Sequence, residues 1–354
     1  MDYSSFRDSK ILITGNTGFK GSWLSLWLDY LGAKVYGLSN DIVSIPSHYN
    51  YLSSVIFSDD RRINVTDSAS VSDYINEIKP DFIFHLAAQA LVKDSYDNPS
   101  ATIATNALGT VSILDSIKDI NWNCTVIFIT SDKVYENVEW CWGYREIDKI
   151  GGSDPYSASK GMAELAIKSY FDSFIFDHQF VKIATTRAGN VIGGGDWANN
   201  RIVPDFFRAW SINETLYLRS PYATRPWQHV LEPLSGYLTL ALMLDNKLSG
   251  EAFNFGPDSN NNFTVSDLIQ NIGKHWKNSK VEIDNSIIHK PESGLLKLDC
   301  DKAKSLLDWH SKLDFDATIS LTANWYSFFI ENNIYPNKIQ QKSIEQIEEY
   351  MNFN

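Results

Sequence analysis

Tyr156 and Lys160 stand four residues apart in Tyr156-Ser157-Ala158-Ser159-Lys160, a spacing that puts both on one face of a helix. A tyrosine of ordinary pKa, about 10, takes a proton near neutrality only if a neighbouring cation stabilises its phenolate. A Tyr/Lys pair is common by chance, so it gains meaning only beside a site for a reacting cofactor. Gly15-Asn16-Thr17-Gly18-Phe19-Lys20-Gly21 offers such a site. The segment lies between an apolar run, Lys10–Thr14, and a helical pattern of Trp23, Leu24, Leu26, Trp27, Leu28 and Leu31. Glycines at a strand-to-helix turn allow close backbone approach, and the helix start presents free N–H groups to a pyrophosphate. Asp41, 20 residues beyond Gly21 near the end of a second strand at Lys34–Leu38, can accept ribose hydroxyls and repel a 2′-phosphate. That favours NAD over NADP, although Ser39 and Asn40 beside it would tolerate a phosphate.

The elements that must carry these groups follow from periodicity. Apolar runs at 81–86, 125–130 and 181–186 alternate with helical stretches at roughly 70–79, 99–119 and 157–174, as in a Rossmann-type doubly wound parallel sheet of an α/β protein. Continuous apolar strands suit burial by helices on both faces. After Arg187 the texture changes to Gly193-Gly194-Gly195-Asp196 and Arg219-Ser220-Pro221-Tyr222, which is assigned to a smaller α/β substrate lobe. The expected division is 1–186 with about 227–255 as the NAD-binding domain, about 187–226 with 256–335 as the lobe, and 336–354 as a C-terminal tail, either a final helix or a frayed end.

Composition narrows the partners. The 354 residues carry 31 Lys+Arg against 43 Asp+Glu, a net charge of −12, which argues against a general nucleic-acid surface. Apolar runs are too short to span a bilayer, and MDYSSFRDSK has no basic region followed by an apolar stretch, so a cytoplasmic location is expected. Cys124, Cys141 and Cys300 are an odd, widely spaced set without a CxxC, and the seven histidines form no HExxH or HxH pair. Neither a disulfide framework nor a metal site is expected.

The glycine pattern, Tyr156/Lys160 and the strand ending in Ile129-Thr130-Ser131 together resemble the extended short-chain dehydrogenase/reductase family over nearly the whole chain. Five blocks in order narrow the resemblance to the CDP-glucose 4,6-dehydratases within it. They are Thr17–Trp23, His85–Gln89, Thr130–Tyr135, Arg187–Trp197 and Arg225–Val230. The resemblance implies a nucleotide-sugar substrate and an NAD that is not consumed: it takes hydride from C4 and returns it to C6 once water has left across C5 and C6. It implies cofactor contacts at Gly15, Thr17, Gly18, Phe19, Lys20, Gly21, Asp41, Asn64, Val65, Leu86, Ala87, Ala88, Gln89, Asn106, Thr130, Tyr156 and Lys160. Asn64 stands where relatives often carry an acid.

By the same resemblance Tyr156 takes the 4-hydroxyl proton, Lys160 supports its phenolate, and Ser131 bonds the sugar or the tyrosine. Asp132 protonates the leaving hydroxyl, and Lys133, where dTDP-glucose dehydratases carry Glu, is the base for C5, provided that its neutral form is accessible. Gln89, Ser131, Asn190, Arg201, Arg219, Arg225 and His229 are the expected substrate contacts, with guanidinium groups suited to diphosphate oxygens. Trp227 and His229 are equally suited to packing. Helices near 99–119 and 157–174 pair subunits in many relatives, which implies a homodimer and leaves a tetramer open. Three alternatives remain: a dehydratase of another nucleotide sugar such as a heptose, an epimerase or ketoreductase with the same Tyr/Lys pair, or a non-catalytic dinucleotide-binding protein.

Overall fold

The computed structural model describes residues 2–218, 220–258, 263–276, 280–283 and 295–353. Six strands open the chain: β1 Lys10–Thr14, β2 Lys34–Ser39, β3 Phe57–Arg62, β4 Phe82–His85, β5 Cys124–Ile129 and β6 Val181–Ala188. A later strand, Ala252–Phe255, pairs with β6 to complete a seven-stranded sheet in the order Ala252–Phe255, β6, β5, β4, β1, β2, β3. Every pairing is parallel. Strand order reverses between β1 and β4, and the crevice outside the strand C-termini at such a switch point is where α/β sheets bind ligands. Register keeps those ends level: Thr14 lies opposite both Leu38 and His85, and Ile129 opposite Thr186.

The helices α1 Phe19–Tyr30, α2 Ser68–Ile78, α3 Val92–Asp97, α4 Pro99–Ile103, α5 Gly109–Ile117 and α6 Pro155–Tyr170 connect the strands. A wide π-type turn, Ala104–Leu108, joins α4 to α5. One sheet face packs on α2, α5 and α6 through Val71, Ile75, Ile113, Leu114 and Ile167. On the other face, Trp23, Trp27, Leu234, Leu238, Trp325 and Tyr350 form the larger core with α1 and helices Leu231–Met243, Phe315–Asn332 and Pro336–Asn352. After β6 the chain also forms helices Ile202–Ser211 and Val265–Gly273 and, among the described residues, three short strand pairs.

One element differs from the sequence expectations. β3 was not read from the sequence, because its Phe-Ser-Asp-Asp-Arg-Arg has no apolar run; as the sheet edge it needs none. Of the two forms expected for the C-terminal tail, the structure has the final helix, over Pro336–Asn352, with Ile339, Ile347 and Tyr350 buried. Among the described residues no helix is long and apolar enough to cross a membrane.

Candidate active site

The turn after β1 is shaped by its glycines. Gly15 has φ +74°, and a Cβ there would lie 2.8 Å from the Ala87 nitrogen; a Cβ at Gly21 would lie 2.1 Å from the Gly15 carbonyl oxygen. Gly18 occupies the N-cap of α1 without a side-chain cap, so the first-turn N–H groups of Phe19, Lys20 and Gly21 lack intrahelical acceptors. This cradle fits a dinucleotide pyrophosphate. Thr17 donates its hydroxyl to the Asp41 carbonyl at 2.6 Å. The Asp41 carboxylate is exposed and accepts the Ile42 N–H at 2.7 Å. Sequence reading missed the polar set behind it: Asn16 accepts the Ser39 hydroxyl at 2.6 Å and donates to Asp60 at 3.0 Å. Asp60 carried no sequence signal because β3 itself carried none.

The walls of the crevice come from the next strand ends. After β4, the Leu86 N–H bonds the Thr14 carbonyl and the Ala87 N–H the Thr14 hydroxyl, both at 3.1 Å, and Ala88 continues this wall. Gln89 turns into its own loop: its Nε2 donates to the Leu91 carbonyl and Thr102, its Oε1 accepts the Leu91 N–H, and its backbone N–H meets Asn106 at 2.8 Å. Asn106 also donates to Ser159 at 2.8 Å, which ties the β4 loop to α6. Asn64 accepts the Thr66 N–H and hydroxyl, and Val65 packs beside Gly109.

At the end of β5 the backbone turns sharply. Ser131 caps a short turn at Asp132–Val134 by accepting the Lys133 N–H at 3.3 Å, and donates its hydroxyl to Asp132 Oδ1 at 2.9 Å. Burial pushes the Asp132 carboxyl above the usual range, against the opposing pull of Lys133, the Ser131 hydrogen bond and Arg225. A raised carboxyl pKa favours the protonated form, the form that can donate a proton. Lys133 is half-buried and lines a cavity of about 400 Å³ with Glu136, Lys149 and Asp154.

Asp154 caps α6 by accepting the Ser157 N–H at 2.9 Å, and Pro155 occupies the first turn, so Tyr156 and Lys160 enter the crevice from a fixed helix start. Both are buried. Burial pushes the Tyr156 phenol up to about 12, with Ser131 and Arg201 pulling it down. Burial and the Lys20 charge bring the Lys160 ammonium down to about 7, while Glu164 opposes them. The chain alone therefore holds the phenol protonated, and further positive charge beside the ring is what would release it. Lys20 sits within this group: its ammonium is 3.4 Å from the Tyr237 hydroxyl, and burial, reinforced by Arg201, lowers it to about 8.

On the lobe side, Arg201 pairs with Asp196 at 2.8 Å while its charge reaches Tyr156 and Lys20. Asn190 has φ +29°, and its carbonyl accepts the Gln228 N–H at 3.3 Å. Arg225 donates to the Thr224 carbonyl at 2.8 Å and its charge reaches Asp132. Arg219 lies outside the described residues. His229 is fully enclosed, its Nδ1 accepts the Leu231 N–H, and its ring meets the edge of Trp23. Trp227 is likewise buried and donates to the Phe263 carbonyl at 3.2 Å.

Beneath the reaction corner is a buried network that the sequence did not reveal. Glu164 accepts the Thr130 hydroxyl at 2.6 Å and both arms of Arg187, whose Nη1 also donates to Tyr135 at 2.7 Å. It clamps α6 to the ends of β5 and β6. Tyr237, beside Lys20, lies in an apolar helix and carries no sequence signal of its own.

Residues 12–322 match the model of the family described as GDP-mannose 4,6 dehydratase. The CDP-glucose 4,6-dehydratase of Salmonella typhimurium is 40% identical over 336 residues, 93% of this chain and 94% of that protein. The CDP-paratose 2-epimerase of Salmonella typhi is 24% identical over 346 residues, 90% and 99% of the two chains. Among solved structures, an epimerase from Methanothermobacter thermautotrophicus superposes with a TM-score of 0.80 at 23% identity, covering 95% of this chain and 96% of that one. The dTDP-glucose 4,6-dehydratase of Bacillus anthracis in complex with NAD gives 0.75 at 19% identity, covering 94% and 99%. At these identities the structural matches speak for the fold.

Proposed function

The chain belongs to the GDP-mannose 4,6 dehydratase family, and from that premise we propose that it is an NAD-dependent CDP-glucose 4,6-dehydratase yielding CDP-4-keto-6-deoxyglucose. The observation that carries this reading is the Asp132 carboxyl, buried, bonded by the Ser131 hydroxyl at 2.9 Å and raised in pKa by that burial, in the corner that also holds Tyr156 and Lys160. An epimerase expels no hydroxyl and needs no such acid.

The cradle at Gly15, Gly18 and Gly21 holds the cofactor, with Asp41 at its ribose. Bound there, NAD would supply the hydride acceptor for C4 and the hydride donor for C6. Tyr156, with Ser131 and Lys160 beside it, takes the 4-hydroxyl proton. The resulting ketone acidifies C5–H, and Lys133 removes that proton. Asp132 gives its proton to the 6-hydroxyl oxygen, and the C6–O bond breaks to release water. Lys133 then returns a proton to C5, and Tyr156 and Asp132 recover their starting states by exchange with solvent. Asn190, Arg201, Arg219 and Arg225 hold the nucleotide diphosphate.

The working form is a cytoplasmic homodimer, with a tetramer as a further assembly. Leu108 after α4, Met162 and Leu165 on α6, and Phe174 and Phe176 beyond it are exposed apolar side chains on neighbouring elements, and a second copy of the chain covers them.

The test is incubation with CDP-glucose and, in parallel, dTDP-, UDP- and GDP-sugars, followed by mass spectrometry for loss of one water. Water loss from CDP-glucose without net reduction of NAD is expected. Loss only from another nucleotide sugar would move the assignment to that substrate; epimer without water loss would overturn it.

A further inference from the structure

Gly189 follows the last residue of β6 and faces Asp132. A Cβ at this position would lie 2.3 Å from Asp132 Oδ2 and 2.8 Å from its Cγ, well inside van der Waals contact. The backbone makes no such demand, since Gly189 is not among the residues with positive φ; the glycine is required by space and not by conformation. Neither partner is free to withdraw. Ser131 holds Asp132 by its Oδ1 at 2.9 Å, and the Asp132 carbonyl accepts the Tyr135 N–H. Gln228, itself buried, donates its amide to the Gly189 carbonyl at 2.9 Å and to the Phe255 carbonyl at 3.1 Å, which locks Gly189 to the neighbouring strand.

We infer that Gly189 is a positioning residue for the elimination step: its bare Cα is the seat on which the Asp132 carboxyl rests, and Gln228 is the brace that keeps the seat from moving. The inference rests on the reading of Asp132 as the acid. A methyl group here displaces the carboxyl from the leaving oxygen while leaving the cradle at Gly15–Gly21 and the Tyr156/Lys160 pair in place. Misplacement by about 1 Å can cost about a hundredfold in rate.

The test compares holoenzyme carrying Gly189→Ala, Asp132→Ala or both, each with CDP-glucose in a single turnover. Water loss is followed by mass spectrometry and cofactor state by the absorbance of reduced nicotinamide. Gly189→Ala is expected to slow water loss about a hundredfold, with KM and bound NAD unchanged and reduced nicotinamide accumulating, because oxidation at C4 proceeds and elimination stalls. In the Asp132→Ala background the clash is gone, so adding Gly189→Ala should bring no further loss. Wild-type water loss by Gly189→Ala, or losses that multiply in the double variant, overturn the inference. Should Gly189→Ala alone fail to fold, the double variant is expected to fold, and failure of both overturns it equally. Wild-type water loss by Asp132→Ala would remove the acid assignment itself, an outcome distinct from the other two.

Discussion

At Asp132 burial raises the carboxyl pKa, the direction that favours the proton the proposed elimination needs there. Asp132→Asn changes little volume and removes the acid, so it should leave NAD binding intact and abolish water loss; turnover at the wild-type rate would remove Asp132 from the mechanism. Lys133→Ala should abolish exchange of the C5 proton with deuterated solvent, and exchange at an unchanged rate would transfer the base role elsewhere. The Tyr156/Lys160 pair was legible in the sequence because four residues make one helical turn. Asp132 and Lys133 were legible only by resemblance, and the crowding at Gly189 not at all. Its contact joins the ends of two strands 57 positions apart. Glu164 and Arg187 were illegible for the same reason: each is an ordinary surface residue type until docking of α6 on β6 buries them together.

Strands β1, β2 and β4 to β6 were readable because each is an apolar run covered on both faces. The C-terminal helix was harder to read, since its buried face is spread over Ile339, Ile347 and Tyr350 among many polar residues. One of its attachments is a buried acid. Glu232 accepts the Lys312 N–H at 2.8 Å, the Leu313 N–H at 2.6 Å and the Tyr350 hydroxyl at 2.9 Å. Burial raises this carboxyl from 4.5 to about 7, against those hydrogen bonds. A pKa raised on folding means that the folded chain binds the proton more tightly than the unfolded one. The contribution is therefore fully present below the unfolded value and falls away as pH rises to about 7. The shift corresponds to about 3 kcal/mol. Glu232→Gln carries no ionisable group, so its urea midpoint should decline less than the wild type's between about pH 5 and about pH 7.5. Parallel declines would mean that this carboxyl does not titrate on folding.

The whole molecule carries a net charge of −12, yet its crevice gathers Lys20, Lys133, Lys160, Arg201 and Arg225 around the buried Asp132 carboxyl. A nucleotide diphosphate sugar approaching from a distance meets repulsion, and inside the crevice it meets cations. Salt weakens both, but it acts differently on capture and on chemistry. The Debye length shrinks from about 10 Å at 0.1 M to about 3 Å at 1 M. Over that range the cations at the mouth lose their hold on the diphosphate, while the buried Tyr156, Lys160 and Asp132 interact across distances and surroundings that ions do not enter. The expected outcome is a KM for CDP-glucose that rises several-fold between about 0.1 M and about 1 M salt with kcat nearly constant, and a steeper rise for the wild-type protein than for Arg225→Gln, which has one cation fewer to screen. A kcat that falls with salt while KM stays level would place the salt-sensitive charges at the reacting atoms, and the division between an outer anion-binding rim and a buried reaction corner would then be wrong.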